Sequence, residues 1–119
     1  MLNKVMLIGR LGSDPKSSRA PSGDLVVDFS IAIDESYKKN GERVQKTEWV
    51  SIVVWKKLAE ICEQYLTKGK LVYIEGKMQT RKWEDKDGAT HMKTDVIASN
   101  MKMLDRKEGT DAPLDDVPF

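Results

Sequence analysis

From Leu25 to Asp34 the chain alternates without a break, with Leu25, Val27, Phe29, Ile31 and Ile33 on one side and Asp28, Ser30 and Asp34 on the other. A segment patterned this way is a strand with one buried face and one wet face, and it needs further strands beside it to be stable. Those neighbours are legible. Asn3 to Leu11 reads as a strand closed by Gly12-Ser13-Asp14-Pro15, and a loop follows through Ser17-Ser18 to Pro21-Ser22-Gly23. Glu35 to Lys46 is polar and basic around Asn40-Gly41, a strong hairpin signal. Thr47 to Trp55 is the return strand; Val50, Ile52 and Val54 form its apolar face and leave Trp49, Ser51, Val53 and Trp55 on the other. Leu71 to Trp83 is a long strand interrupted at Gly76, a second hairpin turns at Asp85-Lys86-Asp87-Gly88, and a last strand runs from Thr90 to about Leu104.

Only Lys56 to Leu66 has helical periodicity, with Leu58, Ile61, Cys62, Tyr65 and Leu66 in one stripe before Lys68-Gly69 ends it. Three strands, one helix and two strands is the order of an OB-fold, an all-β, five-stranded Greek-key barrel with its helix between strands 3 and 4. The expected organisation is a barrel over residues 1–104, a short linker over 105–113 and a tail over 114–119.

The 119 residues suffice for one core without staples. The net charge of +1 hides a division: residues 1–104 carry 18 Lys/Arg against 14 Asp/Glu, and residues 105–119 carry 2 against 5. A mildly basic body implies an anionic ligand, and an acidic tail implies a different partner. Cys62 and His91 are single, which excludes a disulfide framework and the usual zinc sites and fits a reducing cytoplasm. No apolar run exceeds four residues, so no membrane span is expected. No nucleophile elbow, phosphate-cradling loop or metal cluster is present, so neither catalysis, a cofactor nor a metal is expected.

The exposed faces carry another pattern. Trp49 and Trp55 point to the same wet side of one strand, Trp83 shares a face with Arg81, Gln79 and Lys77, and Tyr37 heads the basic hairpin beside Lys38 and Lys39. Aromatic platforms flanked by cations suit a ligand with flat unstacked bases and a row of phosphates, namely single-stranded nucleic acid. Lys4, Arg10, Lys38, Lys39, Lys57, Lys68, Arg81 and Lys82 are the candidate phosphate contacts. Phe29 belongs to the core, Tyr65 and Tyr73 lean toward packing, Cys62 is a buried small hydrophobe, and His91 is an ordinary strand residue.

These residues resemble the bacterial-type single-stranded DNA-binding protein family over essentially the whole chain. The resemblance is carried by Asn3-Lys4-Val5, Gly9-x-Leu11-Gly12-x-Asp14-Pro15, Thr47-Glu48-Trp49, Lys57-Leu58-Ala59-Glu60, Lys68-Gly69, Val72-Tyr73-Ile74-Glu75-Gly76, Thr80-Arg81-Lys82-Trp83 and the acidic terminus. It implies base stacking on Tyr37, Trp49, Trp55 and Trp83, with Lys57, Lys68, Arg81 and Lys82 on the backbone. It also implies a homotetramer in the nucleoid and a tail that docks replication, recombination and repair proteins. Three departures stand out. Arg19-Ala20-Pro21 lacks the aromatic residue often found ahead of that loop, Val50-Ser51 replaces a His-Arg pair tied to subunit assembly, and the long Gly/Pro/Gln-rich linker is missing.

The tail itself, Leu114-Asp115-Asp116-Val117-Pro118-Phe119, is badly suited to a core, because its proline blocks a helix and its charges resist burial. It reads as a docking peptide, with Phe119 the apolar anchor and Asp115 and Asp116 the steering charges. An OB-fold adaptor of the primosomal accessory type, acting mainly through protein contacts, is the alternative, but such adaptors lack this acidic terminus. A cold-shock-type RNA-binding barrel would be shorter, with its aromatics more tightly clustered.

Overall fold

The computed structural model describes residues 1–105. Five long strands, β1 (Val5–Leu11), β3 (Leu25–Asp34), β6 (Thr47–Trp55), β7 (Leu71–Glu84) and β8 (Thr90–Met103), do the closing work. A short β2 (Lys16–Arg19) edges the sheet, β4 (Tyr37–Lys39) and β5 (Glu42–Val44) form a separate ribbon, and α1 (Lys56–Tyr65) lies between β6 and β7. Around the barrel the order is β1, β7, β8, β6, β3 and back to β1. All pairings are antiparallel except β6 with β8, which run parallel through Ile52↔Val96 and Val53↔Ile97. This is the OB-fold that the order of elements implies.

Closure occurs where β1 changes partner. Val5 to Arg10 pair with β7, and Arg10 and Leu11 pair with Ala32 and Ile31 of β3. The alternating apolar set of β3 points inward, with Leu25, Val27, Phe29 and Ile31 buried. They meet Ile52 and Val54 of β6, Val72 and Ile74 of β7, and Val96, Ala98 and Met101 of β8. The helix packs against β3, β6 and β8 and contributes Ala59 and Cys62, with Leu66 just beyond its end. Burial pushes the Cys62 thiol up to about 11, so it is an inert core group.

Gly76 lets β7 serve two purposes. A Cβ built there would lie 2.1 Å from the Ile97 carbonyl oxygen, so only glycine allows the two backbones to approach so closely. The ladder shifts register at this step, from Glu75↔Asn100 to Gly76↔Ala98, leaving Ser99 unpaired as a bulge. The Ser99 hydroxyl donates to the Glu75 carbonyl oxygen at 3.1 Å. Beyond the bulge β7 and β8 continue as a paired arm to the turn at Asp85–Gly88. At its root the Asn3 amide donates to the Met78 carbonyl (2.9 Å) and accepts from the Met78 N–H (3.0 Å), extending the β1 ladder by a side chain.

Four details differ from the sequence-based expectation. Strand β1 begins at Val5, with Asn3 acting through its side chain instead. β2 lies within the expected loop; Lys-Ser-Ser-Arg carries no apolar alternation, and it forms because β3 offers a free edge. The buried side of the helix is Ala59 and Cys62 with half-buried Leu58, while Ile61 and Tyr65 are exposed. Finally, the helix ends at Tyr65 through an extended Leu66, and Gly69 instead takes its positive φ in the turn that returns to β7. The expected Asn40-Gly41 turn forms, with φ of 53° and 81° joining β4 to β5.

Gly76→Ala should therefore destabilise the fold by roughly 3 kcal/mol, because the added methyl forces apart backbones rather than flexible side chains. Urea melts of the two proteins check this; a change below about 0.5 kcal/mol would show that the bulge can relax.

Candidate nucleic-acid interface

The faces of β3, β6, β7 and β8 that turn away from the core make one continuous surface, because their registers place odd and even residues together. Val26 pairs with Trp55 and Asp28 with Val53, Val53 with Ile97, Gln79 with Asp95, Arg81 with Lys93, and Trp83 with His91. A groove of about 410 Å³ runs over this surface. Its walls are Val26 and Asp28, Ser51, Val53 and Trp55, Gln79 and Arg81, and Lys93, Asp95 and Ile97.

The four aromatic candidates all face water: Trp49 is 60% exposed, Tyr37 49%, Trp83 43% and Trp55 41%, whereas Phe29 is 4% exposed and belongs to the core. Trp55 borders the groove directly. It is the last residue of β6, and Lys56 follows in the left-handed region with φ of 60°, so strand turns into helix without a loop. A non-glycine residue held there costs about 1–2 kcal/mol, and the sharp turn holds the Trp55 backbone at the groove rim. Trp49 lies at the other end of β6 with its ring on the backbone of Gly12; a Cβ on Gly12 would sit 2.4 Å from the ring. Tyr37 stands apart on the β4–β5 ribbon, beside Lys38, Arg43 and Asp34.

Trp83 is on the arm, and its surroundings are the most structured. The Arg81 guanidinium carbon lies 5.2 Å from the Trp83 ring centroid. The His91 ring stacks on Trp83 at 5.5 Å with 23° between planes, and His91 Nε2 is 2.7 Å from Asp85 Oδ2. Asp85 organises the turn as well, accepting the N–H groups of Asp87 and Ala89 at 2.9 Å each. The bond to His91, and then that from Ala89, hold the Asp85 carboxyl below its ordinary value. His91 therefore packs on Trp83 and braces the turn through Asp85, more than an ordinary strand residue does.

The cations divide into groups. Lys38, Lys39, Lys57 and Lys68 are exposed on the ribbon, the helix and the turn before β7. Arg81 faces the groove, but its Nε donates to Asp95 Oδ2 at 2.9 Å. Lys82, one residue on, points to the opposite face of the arm. Lys4 is paired with Glu75 at 2.8 Å, next to Leu2 and Asn3 and away from the groove. That contact, followed by the Tyr73 hydroxyl, holds the Glu75 carboxyl low, and Glu75 in turn raises Lys4. Arg10 donates to the Gly69 carbonyl and is 3.3 Å from Asp105. Asp105, at the start of the expected linker, also accepts the Leu71 N–H, which binds it to the barrel.

Lys93 and Asp95 are absent from the sequence-derived set, as are Lys77 and Gln79 as contacts. Counting outward from the Asp85–Gly88 turn would have set Lys93 opposite Arg81 and Asp95 opposite Gln79.

An OB-fold with an open, cation-flanked aromatic groove is a nucleic-acid-binding type of module, and comparison with known proteins gives the family. The chain belongs to the single-strand binding protein family, whose model matches residues 2–104. It is similar to the "Single-stranded DNA-binding protein" of Neisseria meningitidis serogroup A, with 52% identity over 104 residues, 87% of this chain and 60% of the relative. It is also similar to "Single-stranded DNA-binding protein 1" of Chlorobaculum tepidum, with 50% identity over 109 residues, 90% of this chain and 67% of the relative. This chain thus spans about three fifths of the Neisseria protein. Among solved structures it resembles the Plasmodium falciparum SSB in complex with ssDNA, with a TM-score of 0.80 and 37% identity, covering 88% of this chain and 97% of that one.

The Asp85 geometry predicts an acid response. A carboxyl whose value is lowered on folding adds stability above its ordinary value near 3.8, and that stability is lost as pH falls through the lowered value. Protection of the Asp87 and Ala89 amides against hydrogen exchange should fall below about pH 4. In Asp85→Asn that protection should already be reduced at pH 7, and its fall below about pH 4 should disappear.

Proposed function

We propose that this chain binds single-stranded DNA with little regard to sequence and protects it during replication, recombination and repair. The observation that carries this is the exposure of Trp49, Trp55 and Trp83 on the wet side of the barrel and its arm, flanked by Arg81, Lys77 and Lys93. Large rings grouped on one wet surface, unlike single exposed apolar residues, mark a binding face. Flat rings accept any base, and lysines and arginines accept any phosphate, so the chemistry favours strand over sequence. No catalytic step is needed. The ssDNA in the Plasmodium complex, and the names of the two bacterial relatives, support the same reading.

The chain acts as a homotetramer. Along Val5 to Gly9 strand β1 pairs with β7 on one side only, and Met6 on its outer surface is 63% exposed. An open edge with an apolar side chain suits pairing with a second copy. Leu114–Phe119 lies outside the described residues; its composition supports docking of DNA-processing proteins, and the cytoplasm is where that docking would occur.

Tryptophan fluorescence should be quenched by an oligo-dT, less so as salt rises; absence of quenching at any salt would remove the proposal. Trp55→Ala or Trp83→Ala should each weaken binding by about 1–3 kcal/mol, the range known for stacking in OB-fold single-strand binders, of which this family is itself an instance. Lys93→Ala should instead lower the slope of log affinity against log salt by about one. Deleting Leu114–Phe119 should tighten binding at low salt, with the gain fading as salt rises, because a tethered acidic peptide competes with DNA for the basic groove. Solution mass with and without dT oligomers reports the assembly.

A further inference from the structure

Asp95 is the one charged residue buried among the described residues, with its side chain 6% exposed. It lies on the floor of the groove, on β8, between the Trp55 wall and Arg81. One carboxylate oxygen, Oδ2, takes the Arg81 Nε–H, and the other, Oδ1, is covered and has no partner. Asp28, exposed on β3, lines the same groove. A surface that only had to hold phosphates would gain nothing from two carboxylates, which repel them. What a carboxylate offers in such a place is acceptance of an N–H.

Building on the proposal that the groove holds single-stranded DNA, we propose that Asp95 makes one position of it selective for a base with an exocyclic amino group, cytosine among the pyrimidines. Cytosine presents its N4 amino group where thymine presents the O4 carbonyl oxygen, so a carboxylate attracts one edge and repels the other. A base stacked on Trp55 at the groove rim turns an edge toward the floor where Asp95 lies. The Arg81 guanidinium is the lid: its side chain is 59% exposed, and it rests over Trp83 and holds Asp95 by a single bond. A base that takes its place on Trp83 releases the guanidinium to a phosphate, and the N4 amino group of the base on Trp55 then donates to the uncovered carboxylate. Asp28 adds a charge of the same sign and reinforces the choice. Stacking and phosphate contacts continue to supply most of the affinity, so the selectivity is a bias at one position within otherwise tolerant binding.

The test compares the full chain and Asp95→Asn on dC and dT oligomers of equal length at one salt concentration. An oligomer of 2-pyrimidinone deoxynucleotides, cytosine without its amino group, is added for the unaltered protein. Asparagine can turn either its N–H or its oxygen to the base, so the dC-to-dT affinity ratio should fall about tenfold in Asp95→Asn, the size of one charge-assisted hydrogen bond. The unaltered protein should bind the pyrimidinone oligomer about tenfold more weakly than dC. An equal loss on dC and dT would mean that Asp95 only anchors Arg81, and would overturn the proposal. So would equal binding of dC and the pyrimidinone oligomer, an arm that needs no variant to fold. Failure of the unaltered protein to bind any oligomer would instead overturn the single-strand reading and this proposal with it.

Discussion

The close passage of Gly76 against the Ile97 carbonyl is the contact on which the rest of the molecule turns. On one side of it β7 is a barrel stave paired with β1 and β8, and Val72 and Ile74 fill the core. On the other side the same strand leaves the barrel as an arm and carries Gln79, Arg81 and Trp83 out beside the groove. A side chain at this point would push the strands apart, and the Ser99 bulge would lose the register that aligns Arg81 with Lys93 and Trp83 with His91. Core and binding face are thus joined through one residue with no side chain.

The groove is held in a poised state by its own charges. Arg81 donates to one oxygen of Asp95 across β7 and β8, and it also lies over Trp83. His91 and Asp85 tie the tip of the arm to the same ring. Arg81 is exposed but Asp95 is buried, so a ligand that takes Arg81 must also offer the Asp95 carboxylate a new donor. The His91–Asp85 contact, partly exposed on both sides, contributes little to stability and is broken cheaply. Lys4 and Arg10 differ in kind, because they pair with Glu75 and Asp105 at the closing side of the barrel and serve the framework where they stand.

Much of this was readable in advance because strand alternation is a local property. The inward set of β3, the wet placement of Trp49 and Trp55 and both hairpin turns follow from a period of two and from Asn-Gly and Asp-x-Asp-Gly chemistry. Three features were hidden. β2 has no apolar face to announce it. The helix stripe was drawn through Ile61 and Tyr65, whereas the barrel mouth admits only the narrow side made by Ala59 and Cys62, so tertiary shape overrode hydrophobicity. His91 falls opposite Trp83 by counting from the turn, but its contact with the Asp85 carboxylate depends on side-chain geometry that a one-dimensional pattern does not give.

What the amino-acid order determined by itself was therefore the five long strands, which face of each is wet, and the chemistry of that face: rings and cations for an unstacked, charged strand. Tertiary structure decided how those faces combine. It set Asp95 under Arg81 and Lys4 against Glu75, because these pairings join residues 14 and 71 positions apart. Such pairings depend on register and barrel closure, and closure depends on the few points, Gly76 foremost, where two backbones can touch.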